Sequence, residues 1–86
     1  EVQREYDAPM ERTWNATLNA MDDLAIRVTE KVRSRGRIDG RIYDGKTVKM
    51  TLEPRTEEVT RVKIRIGTFG DQRMSDLIGN AIQNRI

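Results

Sequence analysis

The chain contains no cysteine and no histidine, and its only aromatic residues are one tryptophan, one phenylalanine and two tyrosines. Without cysteine there can be no disulfide, thiolate nucleophile or Cys-ligated zinc, although the compartment stays open because many envelope proteins also lack disulfides. Without histidine the usual neutral-pH general base and the commonest transition-metal ligand are missing, and a Ser-His-Asp arrangement is impossible. Catalysis would fall to carboxylates or lysines alone, and no metal or cofactor is expected. The apolar runs are a few residues long, far short of the roughly 20 that span a bilayer, so a soluble domain is expected. No signal peptide is visible, and a start at Glu1 rather than methionine reads as a processed or trimmed chain, so that any targeting segment is expected upstream and these residues do not give the localisation.

Eighty-six residues predict one domain, 1–86, with no internal linker and room for one core. The hydrophobic share of 36% is low and the charged share of 35% is high, yet the apolar residues are periodic, which predicts folding rather than disorder. Residues 1–6 suit an edge strand. Asp7, Ala8 and Pro9 then supply a cap-type side chain and a first-turn proline, predicting a helix from near Ala8. Met10, Trp14, Thr17, Leu18, Met21, Leu24 and Ala25 form its apolar stripe, opposite Glu11, Arg12, Asn15, Asn19, Asp22 and Asp23.

From Ile26 the period becomes two, with Ile26, Val28, Val32, Ile38, Ile42, Val48, Met50, Leu52, Val62, Ile64 and Ile66 all at even positions. A two-residue Asp44-Gly45 turn would put Val48 on the wrong face. A three-residue loop Tyr43-Asp44-Gly45, with Gly45 left-handed, instead pairs Ile42 with Lys46 and keeps register. The same rule applied to Ser34-Arg35-Gly36 pairs Arg33 with Arg37 and Val32 with Ile38. Residues 53–58 read as a polar turn, and a second helix after Asp71 carries Met74, Leu77, Ile78, Ala81 and Ile82 on one side. The predicted fold is α+β in the order β-α-β-β-β-β-α. A single antiparallel sheet of about five strands, ordered 2-3-4-5-1, carries both helices on its even-numbered face in a helix-grip-like arrangement.

Three segments, "YDAPMERTWNATLNAMDDLAIRVTEK", "DGKTVKMTLEP" and "TRVKIRIGTFGD", resemble a family of small bacterial envelope lipoproteins whose domain has no assigned function. The likeness covers nearly the whole chain and is carried most specifically by Ala8, Pro9 and Trp14 at the helix start and by the Ile66–Asp71 corner. The first helix and strand are also weakly similar to helix-grip domains of a lipoprotein subunit of the outer-membrane barrel-assembly machinery. The resemblance implies a periplasmic, lipid-anchored location, with the anchor on a segment upstream of these residues. It supplies no activity and no functional residues.

The stretch Gly67-Thr68-Phe69-Gly70-Asp71 lies where phosphate loops often sit, but no lysine follows Gly70. Asp71 is expected to cap the second helix and so to repel a phosphate there, with Phe69 as a plug beneath the corner. Trp14 and Tyr6 are expected in the core. Glu30 has even parity and is expected at the sheet's rim; Asp22-Asp23 and Glu57-Glu58 do not converge as a calcium site does; the sequon Asn15-Ala16-Thr17 lies inside a helix.

The odd-numbered face carries Arg27, Lys31, Arg33, Arg37, Arg41, Lys49, Arg61, Lys63 and Arg65 against only Asp39 and Glu53, a concentration that the net charge of +2 conceals. Within it Arg37, Arg41, Lys49, Arg61, Lys63 and Arg65 form the candidate anion-binding face, for anionic lipid, acidic glycan or another envelope protein. The alternative is a solvated face that resists edge aggregation. Nucleic acid is the weaker partner, since Tyr43 is the only aromatic on this face. No two carboxylates can be assigned across a cleft at the roughly 5–9.5 Å that glycoside hydrolysis requires, so the expected function is non-enzymatic binding or structural association through the surface. An apolar-ligand carrier is the alternative, disfavoured because so short a chain needs its large side chains to close the core.

Overall fold

A computed structural model describes residues 1–86 and shows the α+β architecture directly. Strand β1 (Val2–Tyr6) leads to helix α1 (Met10–Asp23), then β2 (Arg27–Val32), a single 3₁₀ turn (Arg33–Arg35), β3 (Arg37–Arg41), β4 (Thr47–Pro54), β5 (Thr60–Ile66) and helix α2 (Gln72–Arg85). The five strands form one antiparallel sheet ordered β1-β5-β4-β3-β2, the predicted order read from its other edge. Both helices cover one face. Ile38, Val48, Met50, Val62 and Ile64 are fully buried beneath Ala20, Met21, Ile78 and Ile82. No helix is long and apolar enough to cross a membrane.

Helix α1 starts two residues later than the sequence suggests and without a side-chain cap: Pro9 occupies the cap position, and Asp7 does not cap it. Its buried face is Thr13, Trp14, Ala16, Thr17, Ala20 and Met21. Met10, Leu18 and Leu24 flank that face. The predicted stripe omitted Thr13, Ala16 and Ala20, which complete the buried face. The threonines are buried without penalty since each hydroxyl donates back into the helix, Thr13 to Pro9 O at 3.0 Å and Thr17 to Thr13 O at 2.8 Å. Ala25 lies outside the helix in a left-handed conformation (φ 57°), exposed rather than part of the stripe. In α2, Ser75 and Gly79 are buried while Leu77 is 47% exposed, because the helix turns Gly79 toward β1, where Tyr6 Oη donates to the Gly79 carbonyl at 2.8 Å.

The β3–β4 hairpin has the predicted three-residue loop. Ile42 N donates to Lys46 O at 3.1 Å, Gly45 has φ 91°, and Val48 stands opposite Gly40 on the core side. The β2–β3 connection differs from the prediction by one residue. Gly36 is left-handed (φ 63°) as expected, but four residues separate Val32 from its partner Arg37, and Lys31 rather than Val32 opposes Ile38. The reason is that Gly36 already belongs to the sheet, its carbonyl accepting from Leu52 N at 2.6 Å, so the reversal is completed by the 3₁₀ turn before it.

A one-residue slip inverts every side chain beyond it, and a bulge between Val28 and Glu30 absorbs the slip and returns Val28 to the core face. Directly opposed residues in an antiparallel pair share a face. Glu30 and Val32 therefore join the open face, opposite Asp39 and Arg37, and Lys31 leaves it. Arg33 leaves it too: its guanidinium pairs with Glu11 of α1 at 3.1 Å and lies 5.4 Å from the Trp14 ring centroid.

Candidate anion-binding face

The face of the sheet opposite the helices is laid out in rows of directly opposed residues. One row is Val32–Arg37–Thr51–Lys63–Gln3 and a second is Glu30–Asp39–Lys49–Arg65; Glu53–Arg61–Glu5 crosses β4, β5 and β1, and Arg27–Arg41–Thr47 crosses β2, β3 and β4. The sequence parity thus places all six candidate residues, Arg37, Arg41, Lys49, Arg61, Lys63 and Arg65, on one surface.

Ion pairing divides them. Arg37 turns Nε and Nη2 onto Asp39, with bonds of 3.3, 3.2 and 2.8 Å that occupy both carboxylate oxygens. That hydrogen bonding, with the adjacent charges of Asp39 and Glu30, raises the Arg37 pKa above its ordinary value. Arg61 pairs with Glu5 at 3.1 Å, and Lys63 lies 3.4 Å from Glu53 Oε1, an oxygen with no hydrogen bond of its own. Arg41, Lys49 and Arg65 have no carboxylate within salt-bridge distance, and neither has Arg27. Asp39 neighbours Lys49 across the β3–β4 ladder, but its oxygens are turned to Arg37.

The unpaired cations also oppose one another, Arg27 to Arg41 and Lys49 to Arg65. Like charges directly opposite on a sheet are unfavourable, so Arg27–Arg41 and Lys49–Arg65 repel, with Asp39 beside Lys49 offsetting only part of it, whereas the end of the face toward the 3₁₀ turn and the β4–β5 connection, with Arg37, Arg61 and Lys63, is compensated. A ligand anion would remove that repulsion.

The uncompensated half adjoins two loops. The Gly67 N–H donates to Thr47 O at 2.9 Å, holding the β5–α2 corner against the start of β4. A shallow concavity of about 780 Å³ lies between them, lined by Lys46, Lys49, Arg65, Gly67, Thr68 and Phe69 among others. Phe69 is not a plug: it is 100% exposed, because Gly67 (φ 63°) and Gly70 (φ 81°) turn the corner outward and Ile66 already fills the core beneath. The basic pattern alone gave no sign of this. A second concavity, about 190 Å³, opens between β1, β5 and the start of α2, below the roughly 300–1,000 Å³ of ordinary small-molecule sites.

Asp71 caps α2 as expected, its Oδ1 accepting from Met74 N at 3.0 Å while Oδ2 lies 3.4 Å from Lys46 Nζ. The Met74 N–H first, and Lys46 after it, hold the carboxyl below the usual carboxylate range. A carboxyl with a folded pKa below its unfolded one contributes stability above the ordinary carboxylate range and loses it as pH falls through the lowered value. Asp71→Ala is therefore expected to lower the melting temperature at neutral pH, with the gap to the wild type closing as melts are taken to pH below the ordinary carboxylate range.

The model of the family described as Protein of unknown function (DUF3568) matches residues 1–85, and the chain belongs to that family. No curated protein matches the chain at a significant level.

Proposed function

We propose that this member of a family of unknown function is a non-enzymatic binding module that holds an anionic partner on the open face of its sheet, through Arg41, Lys49 and Arg65 with Arg27 beside them. One observation carries this: on a face where every other cation has a carboxylate, these four have none and stand opposite one another. Desolvation costs are low there because the groups remain hydrated, so binding is modest in affinity and strongly salt-dependent.

The resemblance to small envelope lipoproteins supports a bacterial envelope location, periplasmic and held to a membrane by a lipidated segment preceding these residues. The absence of histidine and cysteine, and the engagement of Asp39, Glu5 and Glu53 by basic partners, favour binding over catalysis. An apolar-ligand carrier is set against by the filled space between sheet and helices, where Met21, Met50, Ile64 and Ile78 are fully buried. Nucleic acid is disfavoured because the aromatics near the cations stand on loops and form no stacking platform on the strands.

Retention on an immobilised sulfated polysaccharide tests the site. The wild type is expected to bind at low salt and elute as salt rises. A variant carrying Arg41→Glu, Lys49→Glu and Arg65→Glu should flow through while keeping its circular dichroism spectrum and melting temperature, since all three side chains are exposed. Retention of this folded variant equal to wild type would return the face to its alternative role in solubility.

A further inference from the structure

Beside the proposed site stand two side chains that anion binding does not use. Tyr43, at the tip of the β3–β4 hairpin, is 99% exposed and Phe69, in the β5–α2 corner, is 100% exposed, while the other two aromatic residues, Tyr6 and Trp14, are buried. Both loops lie at the same end of the sheet, joined by the Gly67–Thr47 hydrogen bond, and Phe69 lines the same concavity as Lys49 and Arg65. A fully hydrated phenyl ring is unfavourable, and a small domain with so few aromatics places half of them in this state.

We propose that this end of the molecule docks on the surface of an anionic lipid bilayer, with Phe69 and Tyr43 entering the boundary between headgroups and acyl chains and Arg41, Lys49 and Arg65 meeting lipid phosphates. The proposal rests on the anion site above and names its partner. Three features favour a bilayer over a protein. The rings project from the tips of two separate glycine-containing loops instead of lining a formed apolar groove, and a fluid interface admits isolated protrusions where a protein would need a matched pocket for each. Tyrosine and phenylalanine suit the interfacial zone, the tyrosine hydroxyl staying with the headgroups. The cations complement a negative leaflet, whose field decays over about 8 Å at physiological salt, so they act only if the domain is held close, as ring insertion would hold it. The carboxylates of the two loops do not oppose this, since Asp44 and Asp71 both lie against Lys46, at 3.8 and 3.4 Å.

The test compares sedimentation with vesicles of phosphatidylglycerol and phosphatidylcholine, with vesicles of phosphatidylcholine alone, and retention on the sulfated polysaccharide. Wild-type protein is expected to sediment with the anionic vesicles and not with the neutral ones. The double variant Tyr43→Ser, Phe69→Ser should lose at least about tenfold in vesicle affinity while its polysaccharide retention, which also reports that it is folded, stays at the wild-type level. In a Phe69→Trp variant, fluorescence should shift to the blue on adding anionic vesicles, against the constant background of buried Trp14. Wild-type vesicle affinity in the double variant, equal binding to neutral vesicles, or no spectral shift would overturn the lipid assignment. Polysaccharide retention without vesicle binding would overturn it alone and leave the anion site standing; loss of both in the wild type would overturn both.

Discussion

Replacing Gly36 with alanine is expected to destabilise the domain by about 3 kcal/mol or more and to lower its melting temperature by on the order of 15 °C. Two costs combine. At φ 63° an L side chain is strained, by about 1–2 kcal/mol. In addition, the new Cβ would overlap the Leu52 carbonyl oxygen, which belongs to the backbone of central strand β4 and cannot rotate away. Relief requires breaking the bond from Leu52 N to Gly36 O and reopening the β2–β3 connection. Gly45 is the internal control: it has φ 91°, but nothing lies within 4 Å of a Cβ placed there, so Gly45→Ala carries the conformational cost alone. Thermal melts of the two variants should differ clearly, with Gly36→Ala much the worse. Equal losses would mean that Gly36 is not held against β4.

Met50→Ala is expected to cost about 2–5 kcal/mol, through lost burial and the cavity left behind. Met50 is fully buried on the central strand, opposite Ile38 on β3 and Ile64 on β5, both also fully buried. All three belong to rigid ladders, so the backbone cannot collapse into the gap. A chain of this length has a total stability of about 4–13 kcal/mol, and the loss is a large share of it. Met50→Leu, which nearly conserves volume, should cost less than about 1.5 kcal/mol. Denaturant titrations of the pair separate a packing effect from a general intolerance at position 50; similar midpoints for alanine and wild type would contradict the packing described here.

Most of the fold was legible because alternation is a strong signal when one face of a sheet is buried. Even parity placed Ile38, Val48, Met50 and Ile64 against the helices, and the strand order followed from adding a right-handed crossover from β1 to β2 with both helices on that face. What escaped was the part of β2 beyond its bulge. A three-residue loop with an unbroken strand and a four-residue reversal with a bulge both bring Val28 to the core, so the apolar pattern cannot tell them apart; Glu30, Lys31 and Val32 carry the difference. Leu77 and Phe69 were misplaced because hydrophobicity says that a residue gains by burial, not that the backbone offers it a place.

The candidate site was half legible in the same sense. Parity gathered the six basic residues on one surface, but which of them are neutralised depends on partners that periodicity does not fix. Glu5 reaches Arg61 only because β1 adds to the edge of β5, and Asp39 binds Arg37 two residues along its own strand rather than Lys49 across the ladder. The distinction between a compensated and an uncompensated half of the face exists only once the strands are side by side.

That distinction is the central claim, and two variants of equal charge test it most directly. Arg41→Gln, Lys49→Gln and Arg65→Gln in one protein, and Arg37→Gln, Arg61→Gln and Lys63→Gln in another, remove the same charge from the same face, and the salt concentration at which each elutes from the sulfated polysaccharide is the measurement. If the unpaired cations form the site, the first variant elutes at much lower salt than the wild type and the second close to it. Equal shifts for the two variants would show that the face binds by net charge alone and contradict the account.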